Sequence, residues 1–275
     1  MTTTIGIVFG DFAETPQEIL SYLLIFQNTL QSSFEFRILP TPDDDFIRLL
    51  SSEQPPNHAE VEEKIDRFLF NLRTQNNSAA RAYGLDPVAV DKVILLTDTA
   101  LSDNYYYVGT DTWAVIALGG WEDAYAPPSI VEYYLSCVVV AALDAKVDLA
   151  RHYETRGCIT DFNAGLADAR FSVLSGYICH NCAQAIKEQA SKKLLDDVHV
   201  LLDRRWLGDS SAPSEVALTI KKMGYDLFRT SGIKPNWKET IRATLEQEGL
   251  KNFLSVTFQI LLAIALLVLG LKSKN

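Results

Sequence analysis

Histidine and cysteine are scarce in this 275-residue chain, at four residues each. A centre built from three convergent imidazoles therefore has almost nothing to draw on, since the histidines stand far apart at positions 58, 152, 180 and 199. Basic residues are also in the minority. The 25 Lys and Arg stand against 35 Asp and Glu, a formal net charge of −10. That balance excludes the broad phosphate-contacting surface of a nucleic-acid-binding protein, and polybasic attachment to anionic lipid. Nucleotide-binding fingerprints are missing as well: Gly6 and Gly10 do not make a G-x-G-x-x-G, and no Lys-Ser/Thr follows Gly119-Gly120. There is no internal repeat and no low-complexity tract. Residues 1–12 contain neither a basic stretch nor an apolar one of signal-peptide type, so the bulk of the chain is expected in the cytoplasm. Thiols stay reduced there, and the four cysteines are read as metal ligands or core rather than as disulfides.

What is present suits a folded domain: 48% hydrophobic and 22% charged residues, with enough chain for one large or two small cores. The longest apolar run is residues 253–271 (FLSVTFQILLAIALLVLGL), nineteen residues without a charge, bounded by Lys251, Lys272 and Lys274. As a helix it would reach roughly 28 Å, close to the ~30 Å hydrocarbon thickness of a bilayer. Its thirteen Leu, Ile, Val and Phe favour insertion by roughly 4–8 kcal/mol. The run reads as a single-pass C-terminal tail anchor with the N-terminal domain cytoplasmic; the alternative is a core helix. Ser255, Gln259, Ala263 and Gly270 fall on one stripe of it, a surface for self-association of the anchor into a homo-oligomer.

Strand and helix signals alternate before it. Residues 5–9 and 34–39 read as strands, residues 16–30 as a helix between them, 40–57 as a loop, 59–73 as an amphipathic helix, and 92–97 (KVILLT) as a buried strand. Residues 104–118 read as two strands joined at 109–112, and 129–148, after Pro127 and Pro128, as a long apolar helix. Helical character resumes over 181–205, breaks at 208–214 and returns at 215–228 and 236–249. The fold class is α/β (α+β), a mixed sheet packed with helices, with a helical C-terminal segment.

Three of the four cysteines fall together. His152 and Cys158 are followed, after twenty residues, by Cys179-His-Asn-Cys182. A structural zinc takes four soft or borderline ligands, and a two-residue gap lets both thiolates of a knuckle face one ion. The metal ligands are thus His152, Cys158, Cys179 and Cys182, with His180 as a replacement for His152. Two other readings stay open: a redox-active CxxC at a helix start, and reduced cysteines packed as small hydrophobes. Cys137, within an apolar helix, is core. Glu132 and Asp144 read as solvated helix ends, Asp43, Asp44 and Asp45 as a solvated loop, and Arg204 and Arg205 as a polar helix face.

The strand ending in Leu96-Thr97-Asp98, the 104–118 pair, the helix, and then His152, Cys158 (CITDF), Cys179 and Cys182 resemble the C-terminal half of an archaemetzincin-type metallopeptidase, over about residues 90–188. The resemblance implies a metzincin-like domain over 1–188 with a zinc-knuckle element; the helical segment over 189–250 and the anchor over 251–275, read from periodicity and hydropathy, follow it. It also implies a substrate cleft. The family's HExxHxxGxxH, in which histidines bind catalytic zinc and Glu acts as general base, is absent, so no residue receives a catalytic role. The expectation is a membrane-anchored, non-catalytic relative whose cleft binds a peptide or protein partner, as a sensor or effector in bacterial stress or antiviral defence. A membrane-bound zinc hydrolase and a pore-type self-associating effector are the alternatives.

Overall fold

The computed structural model describes residues 2–10, 12, 17–87, 89–153, 157–163 and 165–228. Five strands, β1 (Thr3–Phe9), β2 (Phe34–Ile38), β3 (Lys92–Thr97), β4 (Tyr107–Gly109) and β5 (Trp113–Ala117), form one sheet in the order β2-β1-β3-β5-β4. The first four of these neighbours run parallel, while β4 lies antiparallel to β5 at one end. Eight helices are described: α1 (Gln17–Gln27), α2 (Asp45–Leu50), α3 (His58–Ala82), α4 (Ile130–Asp144), α5 (Leu166–Ser175), α6 (His180–Gln189), α7 (Lys192–Asp203) and α8 (Glu215–Lys222). The expected mixed α/β sheet is what the chain forms.

Strand periodicity divides the core in two. Ile5, Ile7, Phe9, Ile94, Leu96, Ala114 and Ile116 face one cluster with α1 and α4, whereas Val8, Val93, Leu95, Trp113, Val115 and Ala117 face another with α2 and α3. Strands covered on both faces carry continuous apolar runs, which is why KVILLT is buried throughout. Helix α4 packs against β3, β5, α1, α5 and α7. It starts at the N-cap Ser129, where Ser129 and Glu132 exchange hydrogen bonds in a capping box. Buried Tyr134 donates to the Thr97 carbonyl and to Asp98 Oδ1, and Tyr133 to the Leu166 carbonyl.

Several boundaries differ from expectation for local reasons. Asp44 caps α2 through Phe46 N and Asp43 pairs with Arg48, so the 40–57 loop holds a helix and its acidic triplet is partly engaged. Asn104 has a φ of 63°, a turn that delays β4 to Tyr107. Ala190 leaves helical geometry and Ser191 caps a new helix, which splits the expected 181–205 helix into α6 and α7. Helix α5 was not legible at all.

Three charged side chains are not solvated as expected. Glu132 also lies 3.6 Å from Arg204, Asp144 accepts from the Tyr107 hydroxyl and from Arg151, and Arg204 is buried and donates to the Val173 and Leu174 carbonyls. An α-helix leaves its last carbonyls without partners; Arg204 satisfies two of them at the end of α5.

The described residues up to Phe228 belong to one compact unit. The expected helix 236–249, the anchor 253–271 and its stripe all lie outside the described residues. Among the described residues no helix is long and apolar enough to cross a membrane.

Candidate metal centre and the adjoining cleft

The loop that follows α4 returns to the core through two single β-bridges, His152 with Asp161 and Cys158 with Tyr177. These bring together ligands 21 to 30 positions apart in sequence. Cys179 is the N-cap of α6, its sulfur accepting from Cys182 N at 3.5 Å, while Cys158 Sγ accepts from Cys179 N at 3.3 Å. His152 Nε2 lies 3.5 Å from Cys179 Sγ and 3.4 Å from Cys182 Sγ, and one ligand atom from each of the four residues lies within 4.8 Å of the others.

Those spacings fit a zinc ion. Zn–N and Zn–S bonds at tetrahedral angles put nitrogen and sulfur about 3.6 Å apart and two sulfurs about 3.8 Å apart. A zinc ligand of histidine type also needs its other ring nitrogen oriented, usually by a carboxylate. His152 Nδ1 lies 2.6 Å from Asp161 Oδ1, a close contact not aligned as a full hydrogen bond, and Asp161 Oδ2 accepts from Cys158 N. All three cysteine side chains are buried. With every position filled by a protein ligand, the centre is of the structural kind. His152, Cys158, Cys179 and Cys182 are a site for a structural zinc, which would tie the 152–163 loop to the start of α6.

The two thiols of the knuckle are shifted in opposite directions. Burial acts to raise the Cys179 thiol. Hydrogen bonds from the Cys182 backbone and from the Cys182, Cys158 and His152 side chains outweigh it and hold Cys179 below the ordinary thiol value. Burial pushes the Cys182 thiol up to about 12, with the Thr160 hydroxyl opposing and Cys179 reinforcing the rise. Metal binding therefore displaces protons. His180, the expected replacement ligand, is exposed on α6 and stands outside the group. Cys137 is buried in α4 with its thiol pushed up to about 12 by desolvation, as a core cysteine should be. Among the described residues this is the one group of three or more His, Cys, Asp and Glu able to hold a metal ion.

A cleft of about 460 Å³ adjoins the centre. Its walls are the edge strand β4 with the preceding Tyr105 and Tyr106, the face of α4 that carries Ser136, Cys137 and Val140, and the loop residues Ile159, Asp161 and Phe162. Positions four apart on a helix share a face. Ser136 and Val140, four positions apart, share the face that α4 presents to the cleft. Sequence reasoning missed His58 here. Asp103 Oδ2 accepts from the His58 backbone N at 2.9 Å and lies 2.6 Å from its Nδ1, and the ring stacks on Tyr105 with centroids 4.5 Å apart. Glu62, one helical turn further along α3, lines the same cleft. No local signal links His58 to Asp103, which are 45 residues apart.

No family model and no curated protein matches the sequence. Among solved structures the chain is similar to an archaemetzincin from Methanopyrus kandleri, with 13% identity, a TM-score of 0.43, and coverage of 68% of this chain and 95% of that one.

Proposed function

We propose that this chain is a non-catalytic, archaemetzincin-like protein whose cleft takes an extended segment of a peptide or protein partner. A structural zinc steadies the domain, and residues 253–271 tether it at a membrane. The observation that carries this reading is the cleft itself, walled on one side by β4. That strand ends the sheet, and an edge strand offers unpaired backbone groups to an added strand. Apolar side chains from α4 and the loop would take the partner's alternate residues, and His58, held by Asp103, offers a polar contact. A sensor or effector role in stress or antiviral defence follows from fold analogy only.

A selection of displayed peptides against the purified protein tests the reading. An enriched peptide should bind with micromolar or better affinity, lose at least about tenfold when alternate amides are N-methylated, and weaken against Phe162→Ala. Enriched peptides that tolerate N-methylation at every position would refute strand addition.

One observation favours a second reading, a hydrolase. The His58–Asp103 pair in the cleft has the form of an oriented general base. Cleavage of casein that survives stringent purification and is lost in His58→Ala would support it. The pore-type alternative rests on the Ser255, Gln259, Ala263 and Gly270 stripe. It predicts bilayer crosslinking of the tail that Gln259→Leu weakens.

A further inference from the structure

One segment faces both the metal centre and the cleft. Cys158 and Thr160 point to the metal side, where Thr160 Oγ1 lies 3.3 Å from Cys158 Sγ, 3.1 Å from Cys182 Sγ and 2.9 Å from His152 Nε2. Ile159 and Asp161, the alternate residues, line the cleft together with Phe162. Asp161 does both, since its two oxygens also meet His152 Nδ1 and Cys158 N. The period of two is that of a strand, but this segment lies in no sheet.

The segment's anchorage differs from that of its neighbours on the cleft. Strand β4 is paired to β5. Helix α4 is buried along most of its length. Helix α5 is fixed by groups unrelated to the metal: Tyr133 donates to Leu166 O, Arg170 to Tyr125 O, and Arg204 to Val173 and Leu174 O. The backbone bonds of residues 157–163 instead run mainly to His152 and Tyr177, as in Ile159 N to Tyr177 O and Phe162 N to His152 O, with one tie to α5, where the Gly157 carbonyl accepts from Ser175 Oγ. His152 is itself a ligand, and Tyr177 lies two residues before the ligand Cys179.

We infer that zinc occupancy shapes the partner cleft: residues 157–163 form a wall held from behind by the metal, which loosens when the metal leaves while the sheet, α4 and α5 stay in place. The use of such a wall rests on the partner-binding reading above, but its existence does not. Linkage makes the coupling reciprocal, so a ligand that needs the closed wall binds the zinc-loaded form more tightly and raises zinc affinity by the same factor.

Hydrogen exchange of the full chain, loaded with zinc and after removal by a chelator, tests this without any partner. Amides of residues 157–163 should exchange on the order of tenfold or more faster without the metal, those of β1, β3 and α5 should change by less than about twofold, and added zinc should restore the difference. Equal acceleration in β1 and β3 would overturn the inference, because the metal would then hold the whole fold. Unchanged exchange over 157–163 would overturn it too. Asp161→Asn, which keeps all four ligands, provides a check in which the fold stays loaded. It should lower zinc affinity by about 10–100-fold and speed exchange over 157–163 at saturating zinc. Wild-type affinity and exchange in that variant would also sink the idea. Failure to select a peptide ligand would bear on the proposed function and leave these results standing.

Discussion

The sheet and the ligand loop of this protein reach order by different routes. In the sheet, Ile5, Ile7, Val8, Ile94, Leu96, Val115 and Ile116 are wholly removed from water, and each contributes about 1.5–3 kcal/mol by burial alone. Residues 151–182 have one ten-residue helix wholly within them and two isolated bridges, and they leave Tyr153, Phe162, Phe171 and Tyr177 exposed. Ile159, Leu166, Ala169, Val173 and Ile178 are buried there, but the ligand loop has few backbone pairings of its own, and four ligands on one metal would staple it. The cleft lies where a self-supporting wall meets a metal-supported one.

The largest effect should come from removing the staple. With Cys179 and Cys182 both changed to Ser, zinc measured by elemental analysis should fall from one per chain to near none, and the amides of residues 157–163 should exchange on the order of tenfold or more faster while those of β1 and β3 change little. Cys137→Ser should leave zinc content unchanged. Full zinc in the double variant would remove the distinction between the two regions.

Next comes the self-supporting side. Leu96→Ala should cost about 2–5 kcal/mol in urea denaturation, equally in the zinc-loaded and metal-free protein. A cost that disappears on chelation would mean that the sheet depends on the metal after all.

Lys92 sharpens the comparison further, because its amine is wholly buried at the start of β3, donating to Thr110 O. Desolvation lowers its pKa to about 8, against support from Asp144 and Asp111. The unfolded lysine keeps its proton to near 10.5, so between pH 8 and 10 the unfolded chain binds more protons and stability should rise with pH. The penalty is present in full below about pH 8 and relieved above it, with a gain on the order of 2 kcal/mol. Chemical denaturation across that range should show the rise in wild type and a flattened profile in Lys92→Met. A stability that falls with pH there would contradict the assignment.

Smallest is the helix start that positions α4 beside the cleft. Ser129→Ala should cost about 1 kcal/mol with zinc content unchanged, by thermal unfolding and metal analysis. A loss of metal would show that α4 and the ligand loop are not separable.

Much of this was legible in the chain itself. The ligands could be named because zinc demands particular residue types and CxxC spacing is local. The buried strands could be placed because a run such as KVILLT suits only a position covered on both faces, and α4 because Pro127, Pro128 and the Ser129–Glu132 box mark a start. Where the sequence was silent, the cause was distance. Helix α5 is weakly amphipathic, and it ends on Gly176, whose φ of 57° brings it against the Leu202 carbonyl. Arg204 reads as a surface residue until α5 offers it two unpaired carbonyls.

Residue type and short-range spacing thus determined the mixed α/β class, the candidate ligands His152, Cys158, Cys179 and Cys182, and the lack of an HExxH pair of histidines, since each depends on the chemistry of neighbours in sequence. Only the tertiary structure decided that Asp161 serves the metal and the cleft at once, that Asp103 orients His58, and that Ser136 and Val140 face the space between them. Those facts depend on which surfaces meet across 9 to 45 residues of chain, and no local pattern encodes such a meeting.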